Sequence, residues 1–207
     1  MLVTFLSDTH GLHNQVQIEP CDILIHAGDF TNLGEKDVHN SFVEWFEEQP
    51  AKHRILIGGN HDLHLSNFPN NIHTFNDHGI TYLEDEMTVV DGIKIYGSPW
   101  TPRFGDWAFM MSRETIGYMW DKIPDDVDIL VTHGPAYGIL DQPWGGYEHV
   151  GCKSLLDKIM QVRPKIHLSG HIHGSYGEKL FNGIQFYNVS VCGEDYKVQN
   201  KPVTIEV

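Results

Sequence analysis

Leu2-Val3-Thr4-Phe5-Leu6-Ser7-Asp8-Thr9-His10-Gly11 is a short apolar run of strand length that ends in a loop carrying Asp8 and His10. The same arrangement recurs along the chain. Asp22-Ile23-Leu24-Ile25-His26-Ala27-Gly28-Asp29 ends in Asp29, and Ile55-Leu56-Ile57-Gly58-Gly59-Asn60-His61-Asp62 delivers Asn60 and His61. Ile129-Leu130-Val131-Thr132-His133 ends in His133, and Lys165-Ile166-His167-Leu168-Ser169-Gly170-His171-Ile172-His173 ends in two histidines. In an open α/β sheet, ligands bind beyond the carboxyl ends of the strands. A lone His after a strand is more often a satisfied, partly buried residue than a ligand. Five successive strands that each end in N or O donors point instead to a shared metal site.

The donor types narrow the chemistry. Imidazole and carboxylate suit Mn, Fe, Zn or Ni, whereas a Mg or Ca site would use nearly all oxygens. No thiolate joins the series, which disfavours a structural zinc site.

These blocks resemble those of the calcineurin-like metallophosphoesterases, whose pattern is D-x-H, G-D, G-N-H-[DE], H and G-H-x-H. Here they stand as Asp8-Thr9-His10, Gly28-Asp29, Gly59-Asn60-His61-Asp62, His133 and Gly170-His171-Ile172-His173. Gly97-Ser98-Pro99-Trp100, Thr132-His133-Gly134-Pro135, Gly138-Ile139-Leu140-Asp141 and Val150-Gly151-Cys152 are similar to the smaller metallophosphoesterase-domain-containing subgroup, which is like the class III cyclic nucleotide phosphodiesterases. The resemblance implies an α/β fold of two facing mixed β-sheets flanked by helices. It implies two divalent transition-metal ions, Mn first and otherwise Fe, Zn, Ni or Co. Asp8, His10 and His173 would hold one ion, Asn60, His133 and His171 the other, and Asp29 would bridge them. Two such ions, less the charges of Asp8 and Asp29, leave about +2 to attract a phosphate ester. The implied reaction is hydrolysis of a small phosphodiester, such as a cyclic nucleotide, or of a phosphomonoester, by a metal-bridging hydroxide. His61 would give a proton to the leaving oxygen, with Asn60 also touching substrate, and Asp62 would order the loop by hydrogen bonds. The alternatives are a non-catalytic scaffold or a slow-turnover nucleotide-binding protein on the same fold. Scaffold relatives tend to lose ligands, and this chain has all seven. The protein phosphatase branch carries a phosphate-binding Arg soon after the bridging Asp, but no Arg stands between Asp29 and Pro50.

A chain of 207 residues suits one domain, 1–207. With 41% hydrophobic and 20% charged residues it reads as a globular chain. The net charge of −14 and the lack of a basic cluster argue against a nucleic-acid partner and for a small phosphorylated substrate. No stretch is long and apolar enough to span a membrane. Met1 to Leu6 lack the basic start of a signal peptide, so the expected location is cytoplasmic. Cys21, Cys152 and Cys192 read as reduced thiols, and the oligomeric state stays open.

Between the blocks, Val38, Phe42, Trp45 and Phe46 predict an amphipathic helix from about Glu35 to Gln49, stopped by Pro50. Residues 67–76 read as a loop, and His13, His64, His73 and His78 receive no ligand role. The runs 80–83, 87–90 and 93–97, with Asp91-Gly92 as a tight turn, predict the start of a second, partly antiparallel sheet. Ser98 to Trp107 reads as an aromatic loop, either a packed surface loop or a wall of the substrate cleft that carries Trp100 and Trp107. A helix is predicted over Ile116, Met119, Trp120 and Ile123. Residues 138–151 read as a mobile glycine-rich lid that carries Trp144 and His149, the latter either facing substrate or a plain loop histidine. Leu155 to Val162 predicts a helix, Phe181-Asn182-Gly183-Ile184 a hairpin turn, and 184–191 and 202–207 the closing strands.

Overall fold

The computed structural model describes residues 1–67, 72–143 and 145–207. Its first sheet contains β1 (Leu2–Leu6), β2 (Cys21–His26), β3 (Ala51–Leu56), β4 (Ile80–Tyr82) and β13 (Val203–Glu206), in the order β13-β1-β2-β3-β4. Its second sheet contains β5 (Glu86–Val90), β6 (Ile93–Ser98), β9 (Ile129–Thr132), β10 (Ile166–Ser169), β11 (Gly177–Phe181) and β12 (Ile184–Asn188), in the order β11-β12-β10-β9-β6-β5. In each sheet four neighbouring strands run parallel, and antiparallel pairing is confined to β13, β11 and β5 at the edges.

Parallel strands covered on both faces read as nearly continuous apolar runs, and β2 shows why. Ile23 and Ile25 join Val3, Phe5, Ile129 and Leu168 in the layer between the sheets. Leu24 faces the opposite way, onto Phe30, Phe42 and Phe46. Phe42 and Phe46 come from α1 (Lys36–Glu47), close to the predicted span. The second sheet is covered outside by α5 (Lys153–Val162), whose Leu155 and Ile159 pack with Leu130, Phe186 and Trp120. The layers are therefore helix, sheet, sheet, helix.

Three expectations need correction. The stretch read as a loop over 67–76 is bounded by α2 (Leu63–Asn67) and α3 (Ile72–Asp77), while residues 68–71 lie outside the described residues. The helix expected over 116–123 is helical only in α4 (Gly117–Trp120). Ile116, Trp120 and Ile123 are all buried, so their spacing reports one packed face on a chain of turns rather than a continuous helix. The aromatic loop contains β7 (Thr101–Pro102), paired with β8 (Met110–Met111), and this pairing decides which aromatic rings reach the cleft. The three cysteines are buried and unpaired. Among the described residues no helix is long and apolar enough to cross a membrane.

Candidate metal centre and substrate cleft

The loops after β1, β2, β3, β9 and β10 meet where the carboxyl edges of the two sheets adjoin. Ser7, just past β1, couples the sheets directly: its N–H donates to Val189 O at 3.0 Å, and its carbonyl accepts from Val191 N at 3.0 Å. Donor atoms of Asp8, His10 and His173 lie within 4.8 Å of one another, and so do those of Asp29, His133 and His171. Asn60 Oδ1 is 3.0 Å from His133 Nε2, which adds it to the second group. Asp29 Oδ2 stands between the groups, 3.2 Å from His133 Nε2 and 4.0 Å from His10 Nε2. His61 comes within the same reach of His10 and Asp29. All seven donors named from the sequence are thus brought together.

The backbone is strained where it presents them. Asp8, His10, Asp29 and His171 take φ of 55°, 43°, 58° and 67°, in the left-handed region that costs a side-chain-bearing residue about 1–3 kcal/mol. Glycine is required beside them by close approach. A Cβ on Gly59 would lie 2.3 Å from Asp29 Oδ1, and one on Gly170 would lie 2.2 Å from Asp8 Oδ2.

Hydrogen bonds fix which imidazole nitrogen faces the site. Nδ1–H of His10 donates to Thr31 O (3.2 Å), that of His61 to Asn32 O (2.5 Å), that of His133 to Ala27 O (2.8 Å) and that of His173 to Gly193 O (3.0 Å). A carbonyl can only accept, so each neutral ring presents an Nε2 lone pair to the centre. His10 Nε2 and His173 Nε2 are 3.2 Å apart, and His133 Nε2 faces the oxygens of Asn60 and Asp29. Lone pairs gathered this closely require a cation among them, a proton or a metal ion. Asn60 Nδ2 is buried without a partner. The residues present therefore fit two ions, one at Asp8, His10 and His173 and one at Asn60, His133 and His171, with Asp29 reaching both.

Three of those carbonyls belong to the single loop 27–32, which Asp62 clamps. Asp62 Oδ2 accepts from the amides of Asp29 and Gly59 (2.8 Å each), and its Oδ1 accepts from the Thr31 amide and hydroxyl (2.9 Å each). This is the loop-ordering role read from the sequence. Burial and then the Asp29 charge push the Asp62 pKa up to about 7, against these four donors.

The charges are strongly coupled. Burial favours the neutral form of Asp8 and Asp29, yet His173 and His133 outweigh it and hold both carboxyls well below the usual range. Burial lowers His133 and His173, but Asp29 and Asp8 in turn raise each to about 9. Burial dominates at His10 and His171, which fall to about 4 and about 3.

A cleft of about 400 Å³ opens over this centre, lined by Asp29, Asn60, His61, His171 and His173 and walled by Phe104, Trp107, Arg113, Glu194 and Tyr196. The Trp107 ring lies 4.4 Å from that of His61, and Tyr196 lies 4.8 Å from His10 and 5.2 Å from His173. Two expected substrate contacts are not among the lining residues. Trp100 turns inward, its indole N–H donating to Asp85 (3.1 Å) and its ring packing on Phe109, because the β7–β8 pairing folds the loop back there. His149 donates to the buried Asp141 at 2.5 Å and packs on Tyr137. Asp141 also accepts from Gly138 N and Gly151 N (2.9 Å each), so loop 138–151 closes on itself around that carboxylate. Trp144 lies outside the described residues.

The sequence reading passed over Arg113, Glu194 and Tyr196. Glu194 and Tyr196 sit on a turn tied to the site through the His173–Gly193 bond, which no motif announces. Arg113 is one of few cations in a long aromatic stretch, and that is the one signal that might have marked it out.

Comparison with known proteins agrees with this geometry. The sequence profile of the family described as calcineurin-like phosphoesterase matches residues 1–175. Metallophosphoesterase domain-containing protein 1 of Homo sapiens is 36% identical over 227 residues, covering 98% of this chain and 69% of that protein. Among solved structures, the phosphopantetheinyl hydrolase of Mycobacterium tuberculosis is similar with a TM-score of 0.65, covering 94% of this chain and 90% of that one; at 14% identity the likeness is one of fold.

Proposed function

This chain belongs to the calcineurin-like phosphoesterase family, and from that premise we propose that it is a two-metal phosphodiesterase acting on a small phosphate ester. The observation that carries the proposal is the convergence of four fixed Nε2 atoms and two buried carboxylates in one cluster, of which Asp29, His61 and His173 line the cleft. Mn is the first metal to test. Two bound ions would supply an activated water and offset charge on the phosphoryl oxygens. The chain's own residues do the rest. Asp29 accepts the His61 amide at 2.7 Å and so ties the carboxylate between the two groups to the proton donor. Asn32 O holds His61 Nδ1–H, which leaves Nε2, across the ring, to carry a proton to the leaving oxygen. Trp107 packs on the same imidazole, and Phe104 packs on His171, so apolar rings limit water around the reacting group. The resemblance of the loops between the ligand blocks to the metallophosphoesterase-domain-containing subgroup favours a diester over a monoester. The intact donor set argues against a scaffold role. The buried, unpaired cysteines suit a reducing compartment, and cytoplasm is the proposed location.

His61→Gln is the test. General acid catalysis contributes roughly 10²–10⁴-fold, and most for a poor leaving group. The variant is expected to keep both ions and to lose far more kcat on an alkyl ester, such as a cyclic nucleotide, than on a nitrophenyl ester. Equal loss on both esters would remove His61 from the proton-donor role, and loss of an ion measured by elemental analysis would make it a ligand.

A further inference from the structure

Arg113, between β8 and α4, lines the cleft, yet the chemistry at the metal centre does not use it. Its Nη1 donates to Gly151 O at 2.8 Å and its Nη2 to Val150 O at 2.7 Å. A guanidinium carries five N–H donors in one rigid plane. Both of its acceptors are neutral, and three donors are left over. Among the described residues Arg113 makes no ion pair, and the six lysines and arginines that do make one use carboxylates outside the cleft lining. It is a cation without an ion pair, near the Glu114 carboxylate, and it lines the cleft of a chain with 28 acidic residues against 14 basic ones.

Its position gives it a direction. Cys152 N donates to Pro135 O at 3.0 Å, so the segment that holds the guanidinium packs on the loop just after His133. Glu194 accepts from Gly174 N at 3.2 Å and belongs to the opposite side, beside His173. Arg113 thus joins the cleft lining from the segment next to the His133 loop, and Glu194 from the segment next to His173. The guanidinium is held by the wall built from residues 150–151 and not by the five ligand loops. Its remaining donors are open to a group in the cleft other than the one at the metal centre.

We propose that Arg113 forms a second subsite, which takes an oxyanion carried on the substrate beyond the scissile phosphate. This rests on the phosphodiesterase reading and narrows the substrate class to phosphodiesters with a second negative charge beyond the scissile group. Two carbonyl tethers fix the guanidinium before substrate arrives, so little side-chain freedom is lost on binding. A bidentate contact to carboxylate or phosphate is the interaction its geometry favours.

The experiment compares 4-carboxyphenyl phenyl phosphate with its methyl ester, which differ in one charge. Both are tested with Mn-loaded wild type, Arg113→Gln and Arg113→Lys. Wild type is expected to favour the carboxylate by about tenfold or more in KM, the scale of a charged hydrogen bond, and the preference should shrink with salt. Arg113→Gln is expected to bring the ratio close to one, and Arg113→Lys to keep part of it. A wild-type ratio of one overturns the subsite. So does equal loss on both esters in Arg113→Gln, which would leave the residue as a tie for Val150 and Gly151 alone. If wild type with two ions bound hydrolyses neither ester, the phosphodiesterase reading fails instead. Calorimetry with phenylphosphonate and 4-carboxyphenylphosphonate then decides the subsite without turnover: a preference for the carboxylate that Arg113→Gln abolishes supports it, and equal binding overturns it.

Discussion

Gly170→Ala adds one carbon atom to a packed ligand loop, and the structure states what that carbon meets. It would lie 2.2 Å from Asp8 Oδ2, 2.2 Å from Ser7 Oγ and 2.8 Å from Ser7 Cβ. Ordinary contact is about 3.5 Å, so the overlap is roughly 1 Å. Ser7 and Asp8 are fully buried. Ser7 cannot retreat easily, because its backbone joins the two sheets at Val189 and Val191. The Asp8 carboxylate must move, and it accepts from Ser7 Oγ (2.5 Å), Ser190 Oγ (2.9 Å) and His171 N (3.0 Å). Overpacking costs about 1–3 kcal/mol, and losing one or two charged hydrogen bonds adds about 2–5 kcal/mol. The sum is on the order of half the stability of a typical domain. The assay is urea denaturation of metal-free protein, where a shift of about 2 M is expected, followed by calorimetric titration with Mn. A carboxylate displaced by about 1 Å is outside the tolerance of a metal site, so the ion at Asp8, His10 and His173 should bind far more weakly. Gly117→Ala is the control, since its nearest neighbour would be Ser154 Cβ at 3.9 Å, and it should change little. Wild-type urea midpoint and wild-type Mn affinity in Gly170→Ala would refute the reasoning. Ser7→Ala removes one of the collisions and should recover part of the loss.

Asp29→Asn is expected to lower the content of both ions, whereas His173→Ala should first weaken one; elemental analysis after desalting reads the difference, and unchanged metal in Asp29→Asn would contradict the bridging role. The metal-free protein should lose stability as pH rises from about 6.5 to about 9. His133 and His173 have folded pKa values raised to about 9, so the stability they contribute is complete below the unfolded value and disappears as they deprotonate. Ions bind the neutral rings, so Mn affinity should rise over the same range. Denaturation with and without chelator at pH 6, 7.5 and 9 checks both slopes, which must be opposite in sign.

The ligand blocks were legible because side-chain chemistry and strand pattern coincide in them. Asp8, Asp29 and His133 each end an apolar run, and parallel pairing places all such ends on one edge. What holds them was not legible. Ala27, Thr31, Asn32 and Gly193 fix the histidines through main-chain carbonyls, which every residue type has, so no identity marks them. The left-handed φ of His10 and His171 is equally silent, since it arises from packing around the loops and not from local preference. Trp100 and Trp107 looked alike in sequence. The short β7–β8 pairing, too brief to leave a periodic signal, sent one inward and the other onto His61. Nothing in the sequence around His149 marks Asp141, eight residues earlier, as the partner that holds its ring.

Each of the two inferred ion-binding sets is drawn from both sheets. Asp8 and His10 follow a strand of the first sheet, whereas His173 follows one of the second; Asn60 stands likewise against His133 and His171. Neither half of the polypeptide holds either of these two sets complete, so filling both is a logical conjunction that only a correctly joined pair of halves satisfies. Fragments 1–83 and 84–207, mixed in solution, should therefore reassociate in proportion to the Mn supplied. The ions would report assembly before any turnover is measured.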